Sequence, residues 1–121
     1  MKHEYSIHIE DNILTETFTG DIDLSILDQA NASIIKDKNF VKGLNFLTDL
    51  REANLLITYD EMWQHTYRLP DLGINKLAII TNRDLEYGIS RQFEALTNDK
   101  DLYIEISIFK DRNEALKWLK L

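Results

Sequence analysis

"KLAIITNRDLEYGISRQFEAL", residues 76–96, decides the fold. Its first six residues form a nearly continuous apolar run, the pattern of a strand buried on both faces. Leu85, Ile89, Phe93 and Leu96 then recur along one side at helical spacing, which predicts a helix over about 84–96. A buried strand leading directly into a helix is half of a βαβ unit, so the flanking segments are read for its partners.

Upstream, "GLNFLTDL" (43–50) reads as a strand, and a helix over 59–68 follows, stopped by the "LPDLG" breaker at 69–73. Before them, Asp23 is placed to cap a helix carrying Leu24, Leu27, Ala30, Ile34 and Ile35 at helical spacing. The chain opens on "EYSIHI" (4–9), with Tyr5, Ile7 and Ile9 on one face. The turn "EDN" and the β-branched and aromatic run "ILTETFT" (13–19), ending at Gly20, complete a hairpin. Downstream, "YIEISIF" (103–109) is a further strand. "DRNEALKWLKL" (111–121) is a helix with Asp111 as cap, Glu114 completing a capping box, and Ala115, Trp118 and Leu119 facing inward. The order ββαβαβαβα implies an α/β fold: one domain over 1–121, with a mixed sheet whose parallel pairs are joined by right-handed crossovers.

Composition narrows the function classes. The 121 residues are 44% hydrophobic and hold only four glycines and one proline, enough for one core and too ordered for a linker or fibrous repeat. Fourteen basic residues against 21 acidic ones leave a net charge of −7, a poor balance for phosphate contacts, so no nucleic-acid partner is expected. No cysteine is present, which excludes disulfides, thiol nucleophiles and thiolate metal sites. The first residues lack the basic end and long apolar run of a signal peptide, and no stretch is apolar enough to span a bilayer. The expected location is the cytoplasm.

Three stretches carry a resemblance: "FLTDLREA", "KLAIITNRDLEYGISRQFEAL" and the closing "IFKDRNEALKWL". Together they resemble the small bacterial SpoIIAA-like proteins, related in fold to STAS domains, the anti-sigma-factor antagonists, and to CRAL-TRIO lipid-binding domains. The likeness covers nearly the whole chain. In STAS domains a strand ending in Asp precedes a loop with an Asp-Ser pair whose Ser is the phosphorylation switch. On this chain Asp49 matches the strand-end Asp, and Ile57 and Thr58 fall at the pair. Thr58 keeps a hydroxyl, but the acidic residue before it is missing and Tyr59 and Asp60 replace the small Gly-containing follow-on. The resemblance therefore implies a regulatory or protein-interaction domain without the usual phosphoserine switch.

Thr58 nonetheless remains the phosphoacceptor candidate. It also begins "TYDE", a capping box in which its hydroxyl meets the Glu61 N–H and the Glu61 carboxylate returns to its own N–H. Tyr59, Trp63 and Tyr67 lie at i, i+4 and i+8 beside Met62 and Thr66, a stripe read first as core and second as a ligand or partner surface. Tyr87 and Arg91 are i, i+4 neighbours and join that surface, with Asp84 and Glu94 close enough for a local ion pair. Gly88 in mid-helix implies a compensating close approach of backbone or ligand. Asp49 and Arg51 flank the strand exit, as a surface pair or as residues that order the loop before the next helix. His3 and His8 fall on opposite strand faces, and Glu61 with His65 supplies only two ligands, so no metal site is expected. "TNRD" lacks a glycine-rich phosphate loop, no nucleophile elbow is present, and no catalytic residue or cofactor is assigned.

The sequence thus points first to a non-enzymatic cytoplasmic domain working through a protein partner, with a homodimer in view. The alternative is a module binding a small apolar molecule or lipid, with Tyr59, Trp63 and Tyr67 lining its cavity.

Overall fold

The computed structural model describes residues 2–99 and 104–121. Strand β1 (His3–His8) passes through a short 3-10 turn, Ile9–Asp11, into β2 (Ile13–Ile22). Asn12 makes the corner at φ 57°, a left-handed conformation asparagine tolerates better than most residues. Helix α1 (Leu24–Lys36), β3 (Asn45–Leu55), α2 (Tyr59–Arg68), β4 (Lys76–Ile80), α3 (Asp84–Asp99), β5 (Glu105–Phe109) and α4 (Arg112–Leu119) follow. This is the expected ββαβαβαβα order. The final strand was expected from 103, and that residue lies outside the described ones.

The five strands form one sheet in sequential order, with β1 antiparallel to β2 and every other pair parallel. One face carries Leu14, Phe18, Phe46, Leu77 and Ile79 against Ala30 and Ile34 of α1, Met62 of α2, and Phe93 and Leu96 of α3. The other carries Ile13, Leu47, Ala78 and Ile80 against Ala115 and Leu119 of α4. Burial of β4 from both sides is what its unbroken apolar run demands. Trp118 is only half buried, packed against Phe109 with Lys76 over its ring.

Several boundaries and facings differ from the sequence expectation. β2 continues through Gly20 to Ile22, and β3 runs to Leu55 instead of ending at 50. Between them Leu50 and Arg51 stand opposite the single Phe18, because Thr17 pairs with Asp49 and Thr19 with Glu52. One extra residue reverses the alternation of β3: Phe46, Thr48 and Leu50 face the three-helix side before the bulge, and Ala53 and Leu55 face it afterwards. That phase change hides the second half of the strand from a period-two reading. Ile9 turns outward in the 3-10 segment instead of continuing the strand face. α1 turns Ile35 outward as well.

α3 departs further. Leu85, expected inside, is 65% exposed, and Glu86 beside it is 1% exposed. Glu86 is stabilised there by the Leu55 N–H at 3.2 Å and the Arg83 Nε–H at 3.0 Å. Among the described residues nothing lies within 4 Å of where a Cβ would stand at Gly88, so the expected close backbone approach is not seen there. At α4, Asp111 caps through the Asn113 N–H, without the expected return bond from Glu114 among the described residues. No helix among the described residues is long and apolar enough to cross a membrane.

Candidate functional site

On the three-helix face of the sheet, β-ladder pairing sets Tyr5, Glu16, Thr48 and Ile79 side by side across four strands. Glu16 lies between Leu14 and Phe18 on the buried face of β2, so the strand's own alternation drives a carboxylate into the core. Burial of a carboxylate is costly unless its oxygens are met. His3 Nε2 donates to Oε1 at 2.8 Å and Thr48 Oγ1 donates to Oε2 at 2.7 Å. Both acceptor oxygens are thereby satisfied.

Above Glu16 and Thr48 a cavity of about 90 Å³ opens between the sheet and α1, α2 and α3. Most of its wall is apolar, with Phe46, Ile79, Met62 and Phe93 among the lining residues. Asn31 of α1, His65 of α2 and Ser90 of α3 also line it. Asn31 Nδ2, His65 Nδ1 and Ser90 Oγ are buried and have no hydrogen-bond partner among the described residues. Buried polar atoms without partners are rare in folded proteins. Three of them on one apolar cavity, each from a different helix, make it the candidate site.

His65 packs against Phe93 with ring centroids 5.9 Å apart. Burial pushes its imidazole below the usual 6.5; Asp28 and Glu16 favour the charged form and Arg68 opposes it, without reversing the effect of burial. At neutral pH the ring is uncharged, with one nitrogen able to donate and the other to accept. Asp28 itself is paired with Arg68, which ties α1 to α2 beside the cavity.

The residues singled out from the sequence lie elsewhere. Thr58 is exposed and forms the complete capping box, its Oγ1 accepting the Glu61 N–H at 3.2 Å and its own N–H donating to Glu61 Oε1 at 3.0 Å. Tyr59 and Tyr67 are 57% and 55% exposed. Trp63 is half buried, touching the core and meeting the Tyr67 ring edge-on at 4.3 Å. None of the three lines the cavity, and the core-facing residues of α2 are Met62 and Thr66. Tyr87 is exposed on α3, and Arg91 is engaged by Glu94 at 3.0 Å.

Asp49 and Arg51 sit inside β3 at the bulge. Asp49 Oδ1 accepts both the backbone N–H and the Nε–H of Arg51 at 3.0 Å, and Oδ2 accepts from Arg51 Nη2 at 2.7 Å. Burial raises the Asp49 pKa, but the Arg51 hydrogen bonds and the charges of Arg51 and Arg112 outweigh it and hold the carboxyl below its ordinary 3.8. The pair thus spans the bulge, ahead of the loop that leads to α2.

Sequence reasoning missed Glu16, Asn31 and Ser90, and weighed His65 only as a metal ligand. One signal was present: a charged residue at the centre of an apolar strand face, Leu14-Glu16-Phe18. A buried charge at such a position needs partners, and partners imply a polar pocket. The three helical residues carry no comparable signal, because a single polar residue at the margin of an amphipathic stripe is ordinary.

No family model and no curated relative matches the chain. Among solved structures it is similar to an uncharacterized protein of the DUF3478 family from Shewanella loihica PV-4, described as having a SpoIIAA-like fold. The likeness spans 97% of this chain and 93% of that one, with a TM-score of 0.65 and 17% sequence identity. At that identity the comparison speaks for architecture alone, and the architecture of this chain is SpoIIAA-like.

Proposed function

We propose that this chain is a non-enzymatic cytoplasmic domain that holds a small apolar molecule between its sheet and helices α1–α3. The observation that carries this reading is the convergence of Asn31 Nδ2, His65 Nδ1 and Ser90 Oγ, all buried and without a partner among the described residues, on one largely apolar cavity. An apolar pocket with a few convergent polar groups is the usual form of a small-molecule site. The ligand-binding alternative of the sequence reading is thereby favoured, with a different lining from the aromatic stripe first assigned to it. The test is extraction of the protein isolated natively from its host, with mass spectrometry of small molecules, beside a Ser90→Leu variant that fills the cavity. A compound carried by the parent and missing from the variant supports the reading. Equal recovery from a folded variant would defeat it.

A second reading keeps the STAS-like role. The outer flank of α2, with Tyr59 and Tyr67 exposed and Trp63 edge-on to Tyr67, offers aromatic anchors of the kind used in protein contacts. A second copy of the chain is the simplest partner. Sedimentation equilibrium at micromolar concentrations tests it: a dimer that Tyr59→Ala with Tyr67→Ala dissociates supports the role, and a monomer throughout rejects it. Thr58 stands at the near end of that flank as a phosphoacceptor candidate. Asp60 and Glu61 beside it weigh against added negative charge.

A further inference from the structure

We propose that the cavity selects compact, neutral molecules carrying a hydroxyl or carbonyl oxygen, and rejects carboxylates of the same size. The proposal rests on the ligand-binding reading above and concerns which chemistry that site accepts.

Size sets the first limit. A dry apolar cavity of about 150 Å³ accommodates benzene with its six non-hydrogen atoms, so a space of about 90 Å³ suits a body of roughly three to four. An extended acyl chain does not fit, since pockets for drug-sized ligands begin at about 300 Å³.

The polar groups set the second limit. Asn31 Nδ2 can only donate, Ser90 Oγ can donate or accept, and neutral His65 presents Nδ1 in either role according to its tautomer. An oxygen atom satisfies such a set; a hydrocarbon leaves it unmet. Water is the competitor, but a buried water needs about two to four polar partners. Three free groups hold about one water, and the rest of the space faces Phe46, Ile79, Met62 and Phe93, which offer water nothing. An apolar body bearing one oxygen matches both parts of the wall.

Charge sets the third. The Glu16 carboxylate forms part of the lining, and its two oxygens are already taken by His3 and Thr48. Among the described residues no lysine or arginine lines the cavity. A ligand carboxylate would therefore be desolvated beside a like charge with no counter-ion, at a cost that a neutral oxygen avoids.

Three probes separate the oxygen, apolar and charge contributions: 2-propanol, propane and acetate, each titrated at neutral pH while the methyl signals of Met62 and Ile79 are followed by carbon-13 NMR. The expected result is saturable shifts with 2-propanol, at least tenfold weaker binding of propane, and no shift with acetate. In Ser90→Ala the preference for 2-propanol over propane should fall severalfold while propane still binds. In Glu16→Gln acetate should begin to bind. Propane binding as tightly as 2-propanol, or acetate binding to the parent protein, would overturn the selection and leave the cavity as a site. Silence from all three probes would overturn the site as well.

Discussion

The Glu86 carboxylate accepts the Leu55 N–H at 3.2 Å, so the last residue of β3 is fastened by a side chain from the first turn of α3. Glu86 is 1% exposed, and its other oxygen accepts from Arg83 at 3.0 Å while Arg83 also reaches Asn54. The long second half of β3 thus ends in a charged clasp on its backbone beside the apolar packing of the Leu55 side chain.

Removing that clasp should be expensive. Glu86→Ala leaves the Leu55 N–H buried without a partner and is expected to cost about 2–3 kcal/mol, the scale for hydrogen bonds to a charged group. Leu85→Ala, one residue away and exposed, should stay within about 0.5 kcal/mol. Urea denaturation of both variants makes the comparison; equal losses would show that the clasp has no special weight.

Gly88 is the opposite case. Among the described residues, no atom outside its own helix backbone lies within 4 Å of a would-be Cβ. Gly88→Ala should raise stability by about 1 kcal/mol through helix propensity and the lower entropy of the unfolded chain. Differential scanning calorimetry should show a higher Tm, and a lower one would reveal a backbone requirement at this position.

The cap of α2 can be measured in the same way. Thr58→Ala deletes the acceptor for the Glu61 N–H and should cost about 1 kcal/mol. Thr58→Ser, which keeps the oxygen, should recover most of it.

Stability should also depend on pH through His65. Burial lowers its folded pKa, so the unfolded chain, in which the imidazole titrates near 6.5, binds the proton more readily. The contribution is therefore fully present above about pH 6.5 and is lost as the pH falls toward the depressed folded value. Asp28 and Glu16, which favour the charged ring, and Arg68, which opposes it, face His65 from the neighbouring elements and from its own helix. Unfolding free energies between pH 7.5 and 5 should decline in the parent protein and decline less in His65→Gln. Parallel curves would remove His65 as the cause.

Local chemistry was readable from the chain alone. Apolar periodicity of 3.6 or two residues set the type and order of the elements, and the caps at Asp23, Thr58 and Asp111 followed from side chains that meet N–H groups three or fewer positions away. The both-sided burial of β4 was equally plain in its unbroken apolar run.

Tertiary structure decided the rest. Helical periodicity on α2 put Tyr59, Trp63 and Tyr67 in one stripe with Met62 and Thr66, and the packing of α1 and α3 buried Met62 and Thr66 while leaving Tyr59 and Tyr67 exposed. The bulge opposite Phe18 reversed β3 in mid-strand, and only the β2 ladder specifies where that happens. Glu16, Asn31, His65 and Ser90 lie on four separate elements, so no sequence spacing relates them. Their meeting at one cavity is a product of the sheet order and the three helices laid across it. Spacing encodes contacts within an element, whereas a site assembled between elements depends on how the whole core closes.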